Sequence, residues 1–298
     1  MTDRKTLTRQ AHAKINLALA VGPARASDGM HPIASWMAPI DLCDTVAMQR
    51  LPDGDGSRFE IAWAPEALRP TPIDWPIEAD LAVRAVRAME TETGRALPVA
   101  MRVVKRIPVG AGLGGGSSDA AAALLGVRAL FNLEIDDARL GEIALGLGSD
   151  APFFLGDGPA LVTGFGHEIE RTPAVVGADA VALLIPSFSC ATGAVYGAVD
   201  SLGQQDFRCD LVAQLACEGV VRDADLFNDL AQGAERVEPA LIEIRARIAS
   251  AAGVRVHITG SGSAMFAVCQ SASEADRVVE SARRFAAPIA GAVVKFKR

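Results

Sequence analysis

Five glycines fall within positions 110–116 of the stretch Pro108-Val109-Gly110-Ala111-Gly112-Leu113-Gly114-Gly115-Gly116-Ser117-Ser118. Glycine lets the backbone take positive φ and lets another group come close, and consecutive N–H groups in such a turn form a nest for an anion. A strand is predicted just before the loop, over 99–105, and an Ala- and Leu-rich helix just after it, over 119–131. The N-terminal end of that helix would add free N–H donors and a positive field. Ser117, Ser118 and Asp119 are capping types whose side chains also reach a phosphate or a bound Mg²⁺. Strand, loop and helix together make a phosphate cradle, since an ordinary turn needs only one or two glycines. Gly110, Gly112 and Gly115 also satisfy the GxGxxG spacing of a dinucleotide site. That pattern is weak alone and needs a returning strand that ends in a ribose-binding acid. Glu134 lies near the right distance, but the segment 132–136 reads as a short link between helices. No GK[ST] closes the glycines, so the loop is not of the Walker type.

The elements that must hold this loop follow from periodicity and punctuation. Alternation predicts a strand over 7–21, extended chain over 31–50 and a short strand over 59–63, with a proline-rich surface loop at 64–76. Leu81, Val83, Val86 and Met89 form a helical stripe over 79–92, and Gly94 stands where a C-cap belongs. A helix over 136–146, capped by Asp136 or Asp137, leads into Gly148-Ser149-Asp150-Ala151-Pro152. A domain boundary is expected after that turn, giving domains 1–156 and 157–298. Beyond it, strands are predicted at 159–163, 179–186, 254–258, 264–269 and 289–296, with helices at 193–201, 208–218, 229–250 and 273–285. Helices on a mostly antiparallel sheet give an α+β class, and the second half follows a ferredoxin-like order.

Composition narrows the functions. The 298 residues are 50% apolar and 22% charged, enough for a globular core, and about two domains' worth by length. A net charge of -7 argues against a nucleic-acid partner, which needs excess Lys and Arg. The polar N-terminus shows no secretory signal, and the apolar stretch 180–199 is broken by Pro186, Gly193 and Gly197, so no membrane span is expected. Five cysteines without a CxxC fit reduced thiols and a cytoplasmic setting. The four histidines show no zinc spacing. Nothing in the pattern bears on oligomeric state.

At the glycine loop the sequence resembles the second motif of the GHMP kinase superfamily, and the resemblance runs in order through most of the chain. Ala13-Lys14-Ile15-Asn16-Leu17 is similar to the first motif, Asp28-Gly29-Met30-His31 to the Asp-Gly-Tyr-His turn, and residues 148–154 to the Gly-Ala-Asp-Val-Pro segment. Leu226-Phe227-Asn228-Asp229 and Thr259-Gly260-Ser261-Gly262-Ser263 resemble the later motifs. The triple glycine before Ser-Ser is nearest to the branch acting on 4-diphosphocytidyl-2-C-methyl-D-erythritol in the non-mevalonate isoprenoid pathway. Homoserine- and mevalonate-type kinases are the alternative. The resemblance implies an N-terminal domain like ribosomal protein S5 domain 2, a ferredoxin-like C-terminal domain, and transfer of the γ-phosphoryl of ATP, carried in as the Mg²⁺ complex, to a cytidine diphosphate-linked alcohol. Loop residues 108–118 would bind the nucleotide.

The same resemblance assigns roles. Asp150 would take the hydroxyl proton, although by itself it reads as an Asx turn before Pro152. Lys14 would pair with Asp150 and offset charge; on spacing alone it is a strand-edge lysine. Asn16 lies on the same strand face as Lys14 and either binds substrate or closes a buried hydrogen bond. His31, Lys105 and Tyr196 match positions that contact the cytidine diphosphate. Lys105 otherwise reads as a surface charge, and Tyr196 as a partly buried helix aromatic. Met30 replaces the usual Tyr, His12 a proline and Ser149 an alanine, which bears on the substrate more than on the chemistry. A nucleotide-binding protein without turnover is countered by the presence of both Lys14 and Asp150.

Overall fold

A computed structural model describes residues 6–203, 206–286 and 288–297. In chain order the elements are β1 (Thr6–Val21), β2 (Ile33–Arg50), β3 (Arg58–Trp63), α1 (Leu81–Thr93), β4 (Val99–Lys105), α2 (Gly115–Leu130), α3 (Asp137–Leu147), β5 (Ala160–Thr163), β6 (Glu168–Arg171), β7 (Ala180–Pro186), α4 (Thr192–Asp200), α5 (Cys209–Glu218), β8 (Phe227–Asn228), α6 (Ala231–Val237), α7 (Ala240–Ala252), β9 (His257–Ile258), β10 (Met265–Cys269), α8 (Ala272–Phe285) and β11 (Ile289–Val294). The fold is α+β. No helix among the described residues is long and apolar enough to cross a membrane.

Two compact units form, and the chain passes between them repeatedly. One holds the described residues through Ala13, Leu42–Val109 and Gly114–Asp157; the other holds Lys14–Asp41, Gly110–Leu113 and the chain from Gly158 on.

In the first unit, β4 pairs antiparallel with the C-terminal half of β2, from Thr45↔Val104 to Arg50↔Val99. It pairs parallel with β3, from Arg58↔Ala100 to Trp63↔Lys105. Alternation puts Val99, Met101 and Val103 on the buried face of β4. There they meet Val83, Val86 and Met89 of α1 and Ala123, Leu124 and Val127 of α2 in one core cluster. Each such Val or Leu gains about 1.5–3 kcal/mol from burial. α1 starts on Asp80, whose side chain accepts from Ala82 N, and stops on Gly94 in the left-handed region. α2 lies so close to β2 that a Cβ at Gly126 would meet Met48 Sδ at 2.5 Å.

In the second unit, β7, β9, β10 and β11 form an antiparallel sheet in the order β11-β7-β10-β9. Numbered along the chain, that order is fourth, first, third, second. With helices between β7 and β9 and α8 between β10 and β11, it is the expected ferredoxin-like βαββαβ arrangement. The C-terminal end of β1 pairs parallel with β8 at Ala18↔Phe227, and the start of β2 pairs with β5 at Ser35↔Val162.

Two expectations change, and two short strands join the elements expected. α2 begins at Gly115, four residues before Asp119, so Ser117, Ser118 and Asp119 are helical residues and not caps. The single helix expected over 229–250 is two, α6 and α7, broken at Glu238-Pro239. Proline has no N–H to continue α6 and its fixed φ, here -57°, suits the start of α7. Strand β6 has one apolar residue among four and β8 is two residues long, so neither shows an apolar period in the sequence.

Candidate nucleotide and acceptor site

The loop Pro108–Ser118 takes its shape from backbone. Gly110, Gly112 and Gly114 have φ of 69°, 78° and 72°, a region costly for residues with a Cβ. Three of its carbonyls are engaged by protein. Val109 O accepts from Arg69 Nη2 at 2.8 Å, Ala111 O from Ala264 N at 3.1 Å, and Leu113 O from Lys14 N at 3.0 Å. Oxygens held this way are kept from an incoming phosphate, which they would repel. At Gly112 the second unit's own main chain is the neighbour: a Cβ would stand 2.7 Å from Thr259 O and 3.0 Å from Gly262 O. At Gly115, in the first unit, it would stand 2.8 Å from Ile107 Cγ2.

α2 then opens without a side-chain cap and without an acidic residue in its first turn. Its first N–H groups and positive end are therefore not satisfied by a side chain, the condition under which a helix start binds an anion. Ser117 and the buried Ser118 lie in this turn. Ser117 Oγ is 3.4 Å from where a Cβ on Gly148 would be. Gly148 starts the turn that carries Asp150, closed by Ala151 N donating to Gly148 O at 3.0 Å. Within the first unit, the loop exit, the α2 start and the half-buried Asp150 are thus neighbours.

In the second unit, Lys14 and Asn16 sit side by side on β1, 3% and 2% exposed. Lys14 Nζ donates to Asn16 Oδ1 at 2.7 Å, and Thr259 Oγ1 donates to the same oxygen at 3.2 Å. Asn16 N donates to Thr259 Oγ1, and Asn16 Nδ2 to Ser35 Oγ, which passes on to Ala18 O. Asn228 Nδ2 donates to Ile258 O and Gly260 O and so fixes the turn 259–263 against this network. Lys14 is therefore interior, not the solvated edge residue its strand position alone implied. Ser35 carries no spacing signal that would mark it, whereas Asn228 lies in the segment Leu226–Asp229 that resembles a family motif.

His31 and Tyr196 meet in the same unit, with ring centroids 5.2 Å apart and planes 35° off parallel. His31 Nδ1 donates to Gly22 O at 2.8 Å, while Nε2 is 3.2 Å from Asp200 Oδ1. Beside them lies a cavity of about 210 Å³ lined by Val21, Pro23, His31, Val199, Asp200 and Asp229. The Asp28 turn closes on Met30 N at 3.1 Å, and Met30 is 46% exposed.

Lys105 is not the surface charge that its spacing alone suggested: its side chain is 5% exposed and its Nζ lies between Asp44 Oδ2, at 2.6 Å, and Asp119 Oδ2. The strand's own alternation held the signal, because Lys105 continues the buried series Val99, Met101, Val103. Burial works against the ammonium, but the two carboxylates outweigh it and hold its pKa above the ordinary lysine value. Burial raises Asp119 to about 8, helped by Asp44 and opposed by Lys105.

Comparison with known proteins gives concordant results. The family model described as GHMP kinases N terminal domain matches residues 80–158, and that described as GHMP kinases C terminal matches 213–287. The chain is 36% identical over 264 residues to a 4-diphosphocytidyl-2-C-methyl-D-erythritol kinase of Polaromonas sp., covering 87% of this chain and 82% of that protein. It is 34% identical over 288 residues to the kinase of the same description from Thermus thermophilus, covering 96% of each. A crystal structure of 4-(cytidine 5'-diphospho)-2C-methyl-D-erythritol kinase superposes with a TM-score of 0.75 at 30% identity, covering 97% of this chain and 99% of that one. A homoserine kinase from Cytophaga hutchinsonii, with a TM-score of 0.65 at 15% identity over 100% of this chain and 97% of that one, shares the fold alone.

Proposed function

The chain belongs to the GHMP kinase family and is a kinase, and from that premise we propose that its acceptor is 4-diphosphocytidyl-2-C-methyl-D-erythritol, phosphorylated on the 2-hydroxyl at the expense of ATP. The observation that carries this reading is the similarity to kinases of that name over nearly the whole chain, with Lys14, Asp150 and the glycine loop all in place.

The nucleotide fits the loop 108–118. Positive-φ glycines with no side chain, three carbonyls tied to protein and an uncapped helix start suit a polyphosphate. Phosphoryl transfer needs alignment and charge neutralisation more than covalent help, and the Mg²⁺ that arrives with ATP supplies part of that neutralisation when bound. Asp150 accepts the proton of the acceptor hydroxyl as that oxygen bonds to the γ-phosphorus and the bond to ADP breaks. Lys14 contributes positive charge to the transferring group, its ammonium aimed by Asn16. His31 and Tyr196 flank the cavity proposed for the base, and Asn16 orders the network between Lys14 and Thr259. Five cysteines outside any disulfide fit a cytoplasmic enzyme.

The test is ADP release from MgATP with 4-diphosphocytidyl-2-C-methyl-D-erythritol, homoserine and mevalonate in parallel. Selective turnover of the cytidyl alcohol is expected. Turnover of another alcohol alone keeps the kinase and removes this acceptor.

A further inference from the structure

The glycine loop leaves and rejoins the first unit through a narrow neck. β4 ends at Lys105, so the N–H groups of Arg106 and Ile107 have left the strand ladder. Asp44 Oδ1 accepts from both, from Ile107 N at 2.8 Å. The other oxygen of Asp44 accepts from Lys105 Nζ, and the same ammonium donates to Asp119, which lies on α2 beyond the loop. One buried lysine therefore ties the start of the loop to its exit. A second contact closes the same gap: Gly115 approaches Ile107 so closely that a Cβ would fall 2.8 Å from Cγ2.

We propose that Asp44, Lys105 and Asp119 form a clasp that closes the neck of the glycine loop and positions it for the ATP phosphates, with Lys105 touching neither substrate. This rests on the loop being the ATP site. A loop with five glycines has much backbone freedom to lose on ordering. Fixing both ends beforehand removes part of that loss from the binding step. A buried charge cluster is poor support for a role in stability alone, since apolar groups of the same volume often serve as well. An apolar group, however, could not accept the two N–H groups that start the loop. Asp119 Oδ1 has no hydrogen-bond partner among the described residues. Burial favours a proton on that carboxyl, which lessens the charge crowded around Lys105.

Asp119→Ala is the decisive variant. It opens the exit side, leaves Lys105 paired with Asp44, and puts a strong helix former into α2. ATP binding is measured by calorimetry, with KM for ATP and for the acceptor, kcat and thermal melting alongside. The expected result is a Kd and KM for ATP raised about tenfold, with acceptor KM and kcat within about twofold. Asp119→Asn, which keeps an acceptor for Lys105, should recover most of the ATP affinity. Unchanged ATP affinity in Asp119→Ala overturns the clasp. So does a uniform loss of kcat and of both KM values that follows a lowered melting point, which marks a structural role only. Lys105→Met with raised acceptor KM and intact ATP affinity returns Lys105 to the substrate site. Wild-type protein that binds no ATP removes the ATP-site reading together with the clasp.

Discussion

Asp150 is half-buried in the turn after α3, beside the uncapped start of α2. If it takes the acceptor proton, Asp150→Asn should lower kcat about 10²–10⁴-fold while ATP affinity, read by calorimetry, barely moves. Equal turnover in the variant would remove Asp150 from the chemistry. Asp119 gives a prediction of another kind. Its folded pKa stands near 8 against an ordinary 3.8, so the native state keeps a proton that the unfolded chain releases. Unfolding is then favoured as pH rises through that interval, and the contribution of this group to stability falls between about pH 4 and 8. Asp119→Asn has no proton to lose, so its urea midpoint should decline less than that of wild type between pH 5.5 and about 8. A parallel decline in both proteins would show that Asp119 titrates normally. At this scale residue type and spacing singled out the five glycines, whereas Lys14 and Asp150 were marked only by the family resemblance. The sequence was not legible where a charge is defined by its partners. Asp44 and Asp119 lie 61 and 14 residues from Lys105, and only the alternation of β4 hinted that the lysine points inward.

Among the elements, α2 shows why boundaries resist prediction. Glycine is a poor helix former, costing about 1 kcal/mol relative to alanine, so Gly115 and Gly116 read as loop. In the fold, left-handed Gly114 turns the chain and the contact of Gly115 with Ile107 fixes the first turn, and tertiary packing outweighs propensity. α1 follows its local signals more closely, with Asp80 as cap and Gly94 as stop. Asp80 also accepts from Trp75 Nε1 at 3.2 Å through its second oxygen. Asp80→Ala should therefore cost more than a cap alone, about 1–2 kcal/mol by urea denaturation, with a change in tryptophan emission before the main transition. A loss under about 0.3 kcal/mol would mean that water replaces both bonds. The break between α6 and α7 was visible as Pro239 but outweighed by the apolar period on either side, and β6, with a single apolar residue, and β8, two residues long, offer no period to read.

For the whole molecule, the repeated passage of the chain between two units has consequences that no single element shows. Lys14–Asp41 and Gly110–Leu113 belong with the chain from Gly158 on. A fragment ending at residue 156 retains those segments but loses their partners, among them β5 opposite Ser35 and β8 opposite Ala18. It should show no cooperative thermal transition, and a sharp two-state melt of the fragment would prove the first unit autonomous. Intact protein with MgATP at 100 times Kd should gain about 2.7 kcal/mol in unfolding free energy. The crowding at Gly112 has a meaning for how such a chain can change over generations. The atoms that a new Cβ would strike there are carbonyl oxygens of Thr259 and Gly262, and every residue type carries that oxygen. No second substitution can trim them. At Gly126 the obstacle is the sulfur of Met48, which a shorter side chain would withdraw. A lineage can drift at position 126 by pairing two changes, whereas position 112 has no such escape and stays glycine for as long as the loop keeps its shape.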